Sequence, residues 1–301
     1  MINMKRGTKI GNVFIAWCTA VFMACAVLHS NVRAETVPAA VSQDQTLKSI
    51  RKSLSIPAQI QIGIGELKNS PLPGLFQGVL ELKLDQNQVR RENILISTDS
   101  RYFVVGTLYD SNVDMDLVRS NMIDLQMGPM KGGPNAPVTI VEYSDFQCES
   151  CKNAHETIDR EKLVENYGDK VRIVYKNFPI TKFHKWALQA SVACMCAQQQ
   201  NPKAFWDLHD AVFAHQNEIV ADNVRDKTIQ MAKDAGLDVK KFSACLDKQE
   251  TLDRVNADIN EGKALGVYST PTFFINGRAI IGFHGTGELR QTIEEFLHKQ
   301  P

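Results

Sequence analysis

The sequence predicts a large α/β domain with an inserted block of helices, preceded by a smaller α+β domain. Short alternating apolar runs dominate the N-terminal third, as expected for strands, whereas helical spacing dominates the remainder. Between the two parts, residues 128–134 are Gly-Pro-Met-Lys-Gly-Gly-Pro, a density of Gly and Pro typical of a boundary. A chain of 301 residues is long enough for two such domains.

The elements of the N-terminal domain follow from alternation and turn residues. Apolar residues at helical spacing predict a first helix, and alternating segments bounded by Leu-Pro-Gly and Asp-Ser predict strands. A further helix leads to the Gly- and Pro-rich boundary. The predicted ranges are a helix at 44–54, strands at 59–66, 78–84, 93–97 and 102–108, and a helix at 114–125.

The second domain is expected to begin near Pro134. Continuous apolar segments at 137–143 and 171–178 predict buried strands, with a helix between them. Helical patterns then extend to about residue 255. Residues 268–275 return to strand character, Asn-Gly at 276–277 predicts a hairpin, residues 279–282 pair back, and 287–297 form a closing helix.

The composition is that of a globular protein without a surface of one charge. Hydrophobic residues make up 44% and charged residues 23% of the chain, which excludes a disordered or collagen-like protein. The 34 basic residues balance 34 acidic ones, so the overall charge gives no indication of nucleic-acid binding. Any function must therefore arise from a local site.

Residues 1–34 have the pattern of a secretory signal peptide. Three basic residues precede an apolar core from Val13 to Leu28, and Val32 and Ala34 are small residues suited to cleavage after Ala34. A retained membrane anchor is the alternative, because uncharged residues extend from Ile10 to Val32. Cleavage removes four basic residues and no acidic one, which leaves 30 against 34 and a charge of about −4. We therefore expect an exported protein.

Export determines how the cysteines are interpreted, because disulfides persist in oxidising compartments. After the leader the chain keeps five cysteines, and an odd number leaves at least one thiol outside any intramolecular pair. They are Cys148, Cys151, Cys194, Cys196 and Cys245.

Cys148 and Cys151 form a Cys-x-x-Cys motif between a predicted buried strand and a helix. At a helix N-terminus, unpaired N–H groups and the helix dipole favour the thiolate of the first cysteine. The second cysteine, one turn along, can attack a mixed disulfide. We expect Cys148 to attack and Cys151 to resolve. The alternatives are a static disulfide and half of a zinc site, although Cys194 and Cys196, at i and i+2 on a helix, face different directions.

Glu142 and Thr270-Pro271 are the other candidates for the site. A single carboxylate in the apolar strand 137–143 is expected to be buried, to have a raised pKa and to relay a proton from Cys151. Alternatively the strand lies at an edge of its sheet and Glu142 faces water. Pro271 stands just before an apolar strand, where an X-Pro bond is ordinarily trans.

The segments VTIVEYSDFQCESC and YSTPTFFINGR, with helices between them, resemble the DsbA-type disulfide oxidoreductases over about residues 130–300. The resemblance implies a thioredoxin fold with an inserted helical subdomain at about 182–265. It also implies a cis Thr270–Pro271 bond against the dithiol, Glu142 as the buried acid and Cys148 as the exposed nucleophile.

Between the two cysteines the sequence departs from these relatives. DsbA-like enzymes usually carry Pro-His there and DsbC-like isomerases Gly-Tyr, whereas this chain has Glu149-Ser150. A carboxylate beside Cys148 opposes its thiolate, so we expect a less oxidising couple than that of the strongest oxidants.

The same resemblance bears on the remaining cysteines. Many DsbA-like relatives carry a second disulfide that clamps the helical insertion, at positions matched here by Cys196 and Cys245. We therefore favour a Cys196–Cys245 disulfide, with Cys194 as the rival partner of Cys245. His155 and His184 have no partner at metal-ligand spacing, so the sequence predicts neither a metal nor a cofactor.

The N-terminal region is similar to the dimerisation domain of DsbC- and DsbG-type isomerases. This implies a small α+β dimerisation domain at 35–112, a linker helix and hinge at 113–133, and a catalytic domain at 134–301. It further implies a homodimer that holds two dithiols across a cleft, with residues 102–110 as an edge strand for pairing between chains. An unrelated small α+β domain is the alternative.

Together these observations predict a periplasmic, dimeric thiol-disulfide oxidoreductase, a disulfide isomerase first and a DsbA-like oxidase second. Threonine before Pro271 and the N-terminal domain resemble the isomerases, whereas the helical insertion resembles the oxidases. The expected partners are unfolded or misoxidised exported proteins and a DsbD-like reductant or DsbB-like oxidant in the membrane. A different class also fits, in which the dimer is a holdase chaperone or a metal-handling protein.

Overall fold

The structure is a computed structural model that describes residues 43–84, 89–126 and 128–299. The predicted signal peptide at 1–34 lies outside these residues. The chain divides between Leu108 and Tyr109 into two compact units, which are described separately. The first unit ends at Leu108, four residues before the expected end of the N-terminal domain at residue 112. The segment that starts at Tyr109 belongs to the second unit.

The first unit is an α+β domain, with one helix packed against an antiparallel sheet. The strands follow the order β1-β3-β4-β5, and β2 pairs with β3. Its apolar core includes Ile50 of the helix and Phe76, Leu80, Ile94 and Ile96 of the two long strands, which point to one face of the sheet. The elements are α1 (Gln43–Ser53), β1 (Gln61–Ile64), β2 (Lys68–Asn69), β3 (Leu75–Lys83), β4 (Val89–Ser97) and β5 (Phe103–Val105).

Strand β5 is shorter than the predicted strand at 102–108. Its pairing with β4 runs only from Phe103, opposite Ile96, to Val105, opposite Ile94. The Gly106 N–H still donates to the Asn93 carbonyl oxygen at 2.9 Å, but the pairing ends there although β4 continues to Val89. Strand β2 was not predicted, because two residues are too few to show an alternating pattern.

The second unit is an α/β domain with one five-stranded sheet. Its elements are α2 (Met115–Met122), β6 (Met130–Gly132), β7 (Val138–Ser144), α3 (Glu149–Arg160), β8 (Val171–Asn177), α4 (Ala187–Gln200), α5 (Pro202–Ala214), α6 (Val224–Asp234), α7 (Val239–Lys248), α8 (Leu252–Ala264), β9 (Thr272–Ile275), β10 (Arg278–Ile281) and α9 (Gly287–His298).

The sheet order is β10-β9-β7-β8-β6, which places β7 at the centre. Strand β7 pairs in parallel with β8 and antiparallel with β9, and every residue of β7 is buried. This continuous apolar strand is the pattern expected of a strand covered on both faces. The C-terminal end of β7 leads directly into the Cys-x-x-Cys segment, so the central strand positions the site.

The helices α4 to α8 lie between β8 and β9 in the chain and form the helical insertion, close to the predicted range of 182–265. Residues 190–197 of helix α4 are all buried, with small residues such as Ala190 and Ala193 that allow close packing of neighbouring helices. A membrane-spanning helix, which must be long and apolar, is not found in the described parts of the chain.

The β9–β10 hairpin has the turn that Asn276-Gly277 predicts, with φ of 45° and 90°. Glycine is required at 277 for a second reason, because a Cβ there would lie 1.7 Å from the carbonyl oxygen of Asp116. Helix α2 therefore packs directly on the hairpin. Arg278 reinforces this contact with an ion pair from its Nε to the Asp116 carboxylate, at 3.2 Å.

Candidate active site

The Cys-x-x-Cys motif lies at the junction of β7 and α3. Cys148 is the N-cap residue of α3 and is partly exposed, whereas Cys151, in the first turn, is fully buried. Both are present as thiols. The backbone carbonyl of Cys148 accepts the Lys152 N–H at 3.1 Å, the first bond of the helix. One cysteine therefore faces solvent while the other is held one turn inside the protein.

The surroundings of Cys148 favour its thiolate. Its pKa is lowered to about 6, chiefly by a hydrogen bond from the Cys151 thiol, with further hydrogen bonds from the backbone N–H groups of Cys151 and Ser150. These N–H groups belong to the first turn of α3, where the amides have no helical acceptor. At neutral pH Cys148 is therefore mostly in the thiolate form.

Cys151 has the opposite character. Burial raises its pKa well above the usual value, and the hydrogen bond to Cys148 and the charge of Cys148 add to this effect. The Asp145 backbone N–H donates to the Cys151 Sγ at 3.4 Å. Cys151 thus stays protonated while it stabilises the Cys148 thiolate, and it must lose its proton before it can attack a mixed disulfide.

Thr270 and Pro271 stand opposite Cys148. The Thr270–Pro271 peptide bond is cis, and the Cys148 Sγ atom lies 3.5 Å from the Thr270 carbonyl oxygen, to which it can donate only in its protonated form. Thr270 is 9% exposed and precedes β9, so the loop that carries the cis bond is held beside the dithiol. This arrangement leaves the backbone at Thr270 close to any chain that approaches Cys148.

Glu142 is buried, at 5% exposure, in the central strand β7. The alternative of an edge strand with Glu142 facing water is wrong, because β8 and β9 pair on either side of it. Burial raises the Glu142 pKa to about 7, and the Ser144 side chain opposes this only in part. The charge of Glu142 in turn raises the pKa of Cys151. A carboxyl that titrates near neutrality is suited to accept the Cys151 proton.

Gln216 is hydrogen-bonded to the backbone around Cys148, a role that no pattern in the sequence indicated. Its buried amide donates to the carbonyl oxygens of Phe146 and Cys148 at 2.9 and 3.1 Å. Gln216 belongs to a one-turn helix after α5, in the helical insertion. The insertion thus holds the backbone on which the nucleophile stands.

Asp145 also holds the backbone of this segment through hydrogen bonds. Its fully buried carboxylate accepts the backbone N–H of Gln147 at 2.8 Å and that of Ile180 at 2.7 Å. The Nδ1 atom of His184 lies 2.7 Å from the same carboxylate. Asp145 lies only three residues before Cys148, but no pattern in the sequence indicated Ile180 and His184 as its partners, which lie in the loop between β8 and α4.

A disulfide joins Cys196 of α4 to Cys245 of α7, with the Cα atoms 5.9 Å apart. Cys194 is fully buried and is a free thiol. Two residues apart on α4, Cys194 and Cys196 point in different directions, so only one can meet Cys245. The crosslink lies within the helical insertion and leaves the Cys148–Cys151 pair independent.

His155 has neighbours that the sequence did not indicate. The structure places it beside His209 and Asp210 of α5, which are side chains of the metal-ligand type. The partners were missed because they lie on another helix, and spacing along the chain reveals only ligands that share a local segment.

Thiol-disulfide exchange requires an accessible thiolate with a second thiol within reach. Here both stand at the end of a central strand and face a cis proline, which is the arrangement of a thioredoxin-fold thiol-disulfide oxidoreductase. A model of the thioredoxin family matches residues 124–295, more than half of the chain. The chain therefore belongs to the thioredoxin family.

Solved structures show the same fold. BdbD from Bacillus subtilis, in its oxidised form, is 25% identical with a TM-score of 0.53, covering 58% of this chain and 95% of BdbD. The thiol-disulfide exchange protein α-DsbA2 from Wolbachia pipientis is 22% identical with a TM-score of 0.50, covering 62% of this chain and 99% of that one. The second likeness supports the fold alone.

Curated relatives match over the same part of the chain. The Na⁺/H⁺ antiporter NhaA 3 of Salinispora tropica is 35% identical over 156 residues, 52% of this chain and 22% of the antiporter. NhaA of Herminiimonas arsenicoxydans is 31% identical over 185 residues, 62% of this chain and 28% of the antiporter. The chain spans about a quarter of the length of these relatives, so their transport activity is not transferred to it.

Proposed function

We propose that the protein is a periplasmic disulfide isomerase that acts on misoxidised exported proteins. The proposal rests on the arrangement of the dithiol, with a partly exposed Cys148 at the N-cap of α3, a buried Cys151 thiol behind it and a Cys148 pKa lowered to about 6. This value is nearer to that of thioredoxin, about 7, than to that of DsbA, about 3.5. A thiolate that is less strongly stabilised makes the dithiol a weaker oxidant, and an isomerase must rest in the reduced form to attack a wrong disulfide.

In the proposed reaction the Cys148 thiolate attacks one sulfur of a substrate disulfide. The substrate S–S bond breaks, a mixed disulfide forms and a substrate thiolate is released. That thiolate attacks another substrate disulfide, and a substrate thiolate then displaces Cys148, so no net oxidation occurs. When the substrate does not rearrange, Cys151 gives its proton to Glu142 and displaces the substrate instead, which leaves the Cys148–Cys151 disulfide for a DsbD-like membrane reductant.

A homodimer through the N-terminal domain is part of the proposal. Strand β5 forms one edge of the first sheet, and Val104 on that strand is 60% exposed. Tyr102, just before it, is 65% exposed. Exposed apolar residues on an edge strand favour pairing with another chain. Sedimentation should then give a dimer, and replacing Val104 by lysine should give monomers.

A dithiol oxidase is the second candidate, favoured by the helical insertion. The insertion resembles that of DsbA-type enzymes, and the match with BdbD covers 58% of this chain and 95% of that protein. An oxidase rests in the disulfide form and would be reoxidised by a DsbB-like membrane protein. In this case Cys148 is attacked by a substrate thiolate rather than attacking a substrate disulfide.

Reactivation of scrambled ribonuclease in a glutathione buffer tests the two candidates. We expect the protein without its leader to restore ribonuclease activity and Cys148→Ala to restore none. Cys194→Ala is the matched control, because it removes a thiol outside the motif, and it should retain activity. Failure to reactivate scrambled ribonuclease, in a protein that still oxidises reduced ribonuclease, would reject the isomerase and favour the oxidase.

A further inference from the structure

A cluster of three ligand-type side chains lies between α3 and α5, apart from the dithiol. The Nε2 atom of His155 is 3.5 Å from the Oδ1 atom of Asp210. The Nδ1 atom of His209 is 2.8 Å from the same oxygen. One ligand atom from each residue lies within 4.8 Å of the others, so a single ion can reach all three.

We propose that His155, His209 and Asp210 form a binding site for a divalent transition-metal ion, of which Zn²⁺ is the test case. Zinc bound to nitrogen and oxygen at about 2.0–2.1 Å in tetrahedral geometry holds its ligand atoms about 3.3 Å apart. The two distances to the Asp210 oxygen lie on either side of this value. The two imidazole nitrogens lie within 4.8 Å of each other, so side-chain movements are needed only to bring this third distance to the same value.

The cluster offers two imidazoles and one carboxylate, which are among the ligand types that zinc takes in proteins. A metal binds the neutral imidazole and the ionised carboxylate.

Aromatic packing fixes the two imidazoles. The His209 ring is 2% exposed and stands edge-on to the rings of Phe146 and Phe213, with centroids 5.5 and 4.9 Å away. The His155 ring stacks on Phe213 at 5.3 Å. The Asp210 side chain is 45% exposed, so one side of the cluster is open to solvent. Ligands that are held by packing on one side and open to solvent on the other suit an ion that keeps water as its fourth ligand.

The positive charge of Lys131 disfavours the binding of a metal ion at this cluster. Its ammonium lies 3.8 Å from the second Asp210 oxygen and 4.4 Å from the centroid of the Trp206 ring. This charge stabilises the carboxylate when no metal is bound and repels a divalent ion. Removing it should therefore strengthen metal binding, an effect that a purely structural role of the cluster does not predict.

The site goes beyond the proposed thiol chemistry and shares none of its reacting groups. His155 lies four residues after Cys151 on α3, one turn further from the nucleophile. An ion held there would tie α3 to α5 of the helical insertion. The structure thus assigns the cluster a second binding function on the helix that carries the motif.

Equilibrium dialysis of Zn²⁺ with metal analysis tests the site. The protein is used without an affinity tag and with Cys148 and Cys151 oxidised, so that thiolates do not compete. We expect one Zn²⁺ per chain, binding at least tenfold weaker in His155→Asn and Asp210→Asn, and binding severalfold tighter in Lys131→Met. His298→Asn, which removes an exposed histidine, is the matched control and should bind as the unaltered chain does.

Modification of the unaltered protein by diethyl pyrocarbonate gives a readout that does not depend on variants folding. Zn²⁺ should protect the peptide that contains His155 but not the one that contains His298. Mg²⁺, which prefers oxygen ligands, should protect neither. The proposal is overturned by the absence of Zn²⁺ binding at 0.1 mM free ion (about ten times a weak Kd near 10 μM). Undiminished binding in both His155→Asn and Asp210→Asn, or equal protection of both peptides, would overturn it too.

Discussion

The buried carboxyl of Glu142 should make the stability of the protein depend on pH in a way that one substitution removes. Its pKa in the folded protein is raised to about 7 from an ordinary value of 4.5. The folded state therefore binds the Glu142 proton more tightly than the unfolded state. Between these two values, stability falls as the pH rises, because the unfolded chain ionises first.

The size of the effect follows from the two pKa values. At 1.36 kcal/mol per pH unit, the full difference corresponds to about 3 kcal/mol of unfolding free energy. Raising the pH from 5 to 8 should lower the unfolding free energy by about 2.5 kcal/mol through Glu142. The rest of the decrease occurs mostly below pH 5. Glu142→Gln keeps the shape of the side chain but does not ionise, so it should remove this pH-dependent cost.

Urea unfolding of the protein and of Glu142→Gln, at pH 5 and pH 8, measures this effect. We expect the unfolding free energy of Glu142→Gln relative to the unaltered protein to increase by about 2.5 kcal/mol from pH 5 to pH 8. Glu288→Gln, at an exposed position of α9, is the control and should show no such increase. A change below about 0.5 kcal/mol for Glu142→Gln would refute a buried, near-neutral carboxyl in β7.

Three further predictions concern the motif and its supports. The rate of Cys148 alkylation should rise with pH, with a midpoint near pH 6. Cys151→Ala should move that midpoint to higher pH, because the main hydrogen bond to the thiolate is lost, and an unmoved midpoint would contradict this. Cys245→Ser, which opens a crosslink between positions 49 apart, should lower the unfolding free energy by about 4 kcal/mol in chemical denaturation, and a loss below 1 kcal/mol would count against the crosslink. Gln216→Ala removes two hydrogen bonds to the backbone around Cys148 and should slow thiol attack on a model disulfide about tenfold, whereas exposed Asn217→Ala should react at the normal rate.

Several features could be predicted from the sequence because they depend on residue types and short-range patterns. The Cys-x-x-Cys motif follows a continuous apolar strand, and the residues after it have helical character, so the position of Cys148 at a helix N-terminus was predictable. Asn276-Gly277 gave the hairpin, because its backbone conformation suits few other residues. The α/β fold with a helical insertion was likewise predicted, from the order of periodic segments and from the resemblance to DsbA-type enzymes.

Other features depended on which elements become neighbours. The environment of Glu142 depends on β7 lying between β8 and β9, which the pattern of β7 alone does not specify. The choice of Cys196 over Cys194 depends on the direction in which each side chain leaves α4 toward α7.

By itself the sequence determined the reacting groups and the strand–helix junction that presents them, because these depend on residue type and short-range spacing. Only the tertiary structure decided that the Gln216 amide supports the backbone around Cys148 and that, apart from this site, the Asp210 carboxylate meets His155. Both come from the helical insertion, far along the chain from the motif. Contacts of this kind arise from the packing of whole helices, and no local pattern of residues encodes which faces meet.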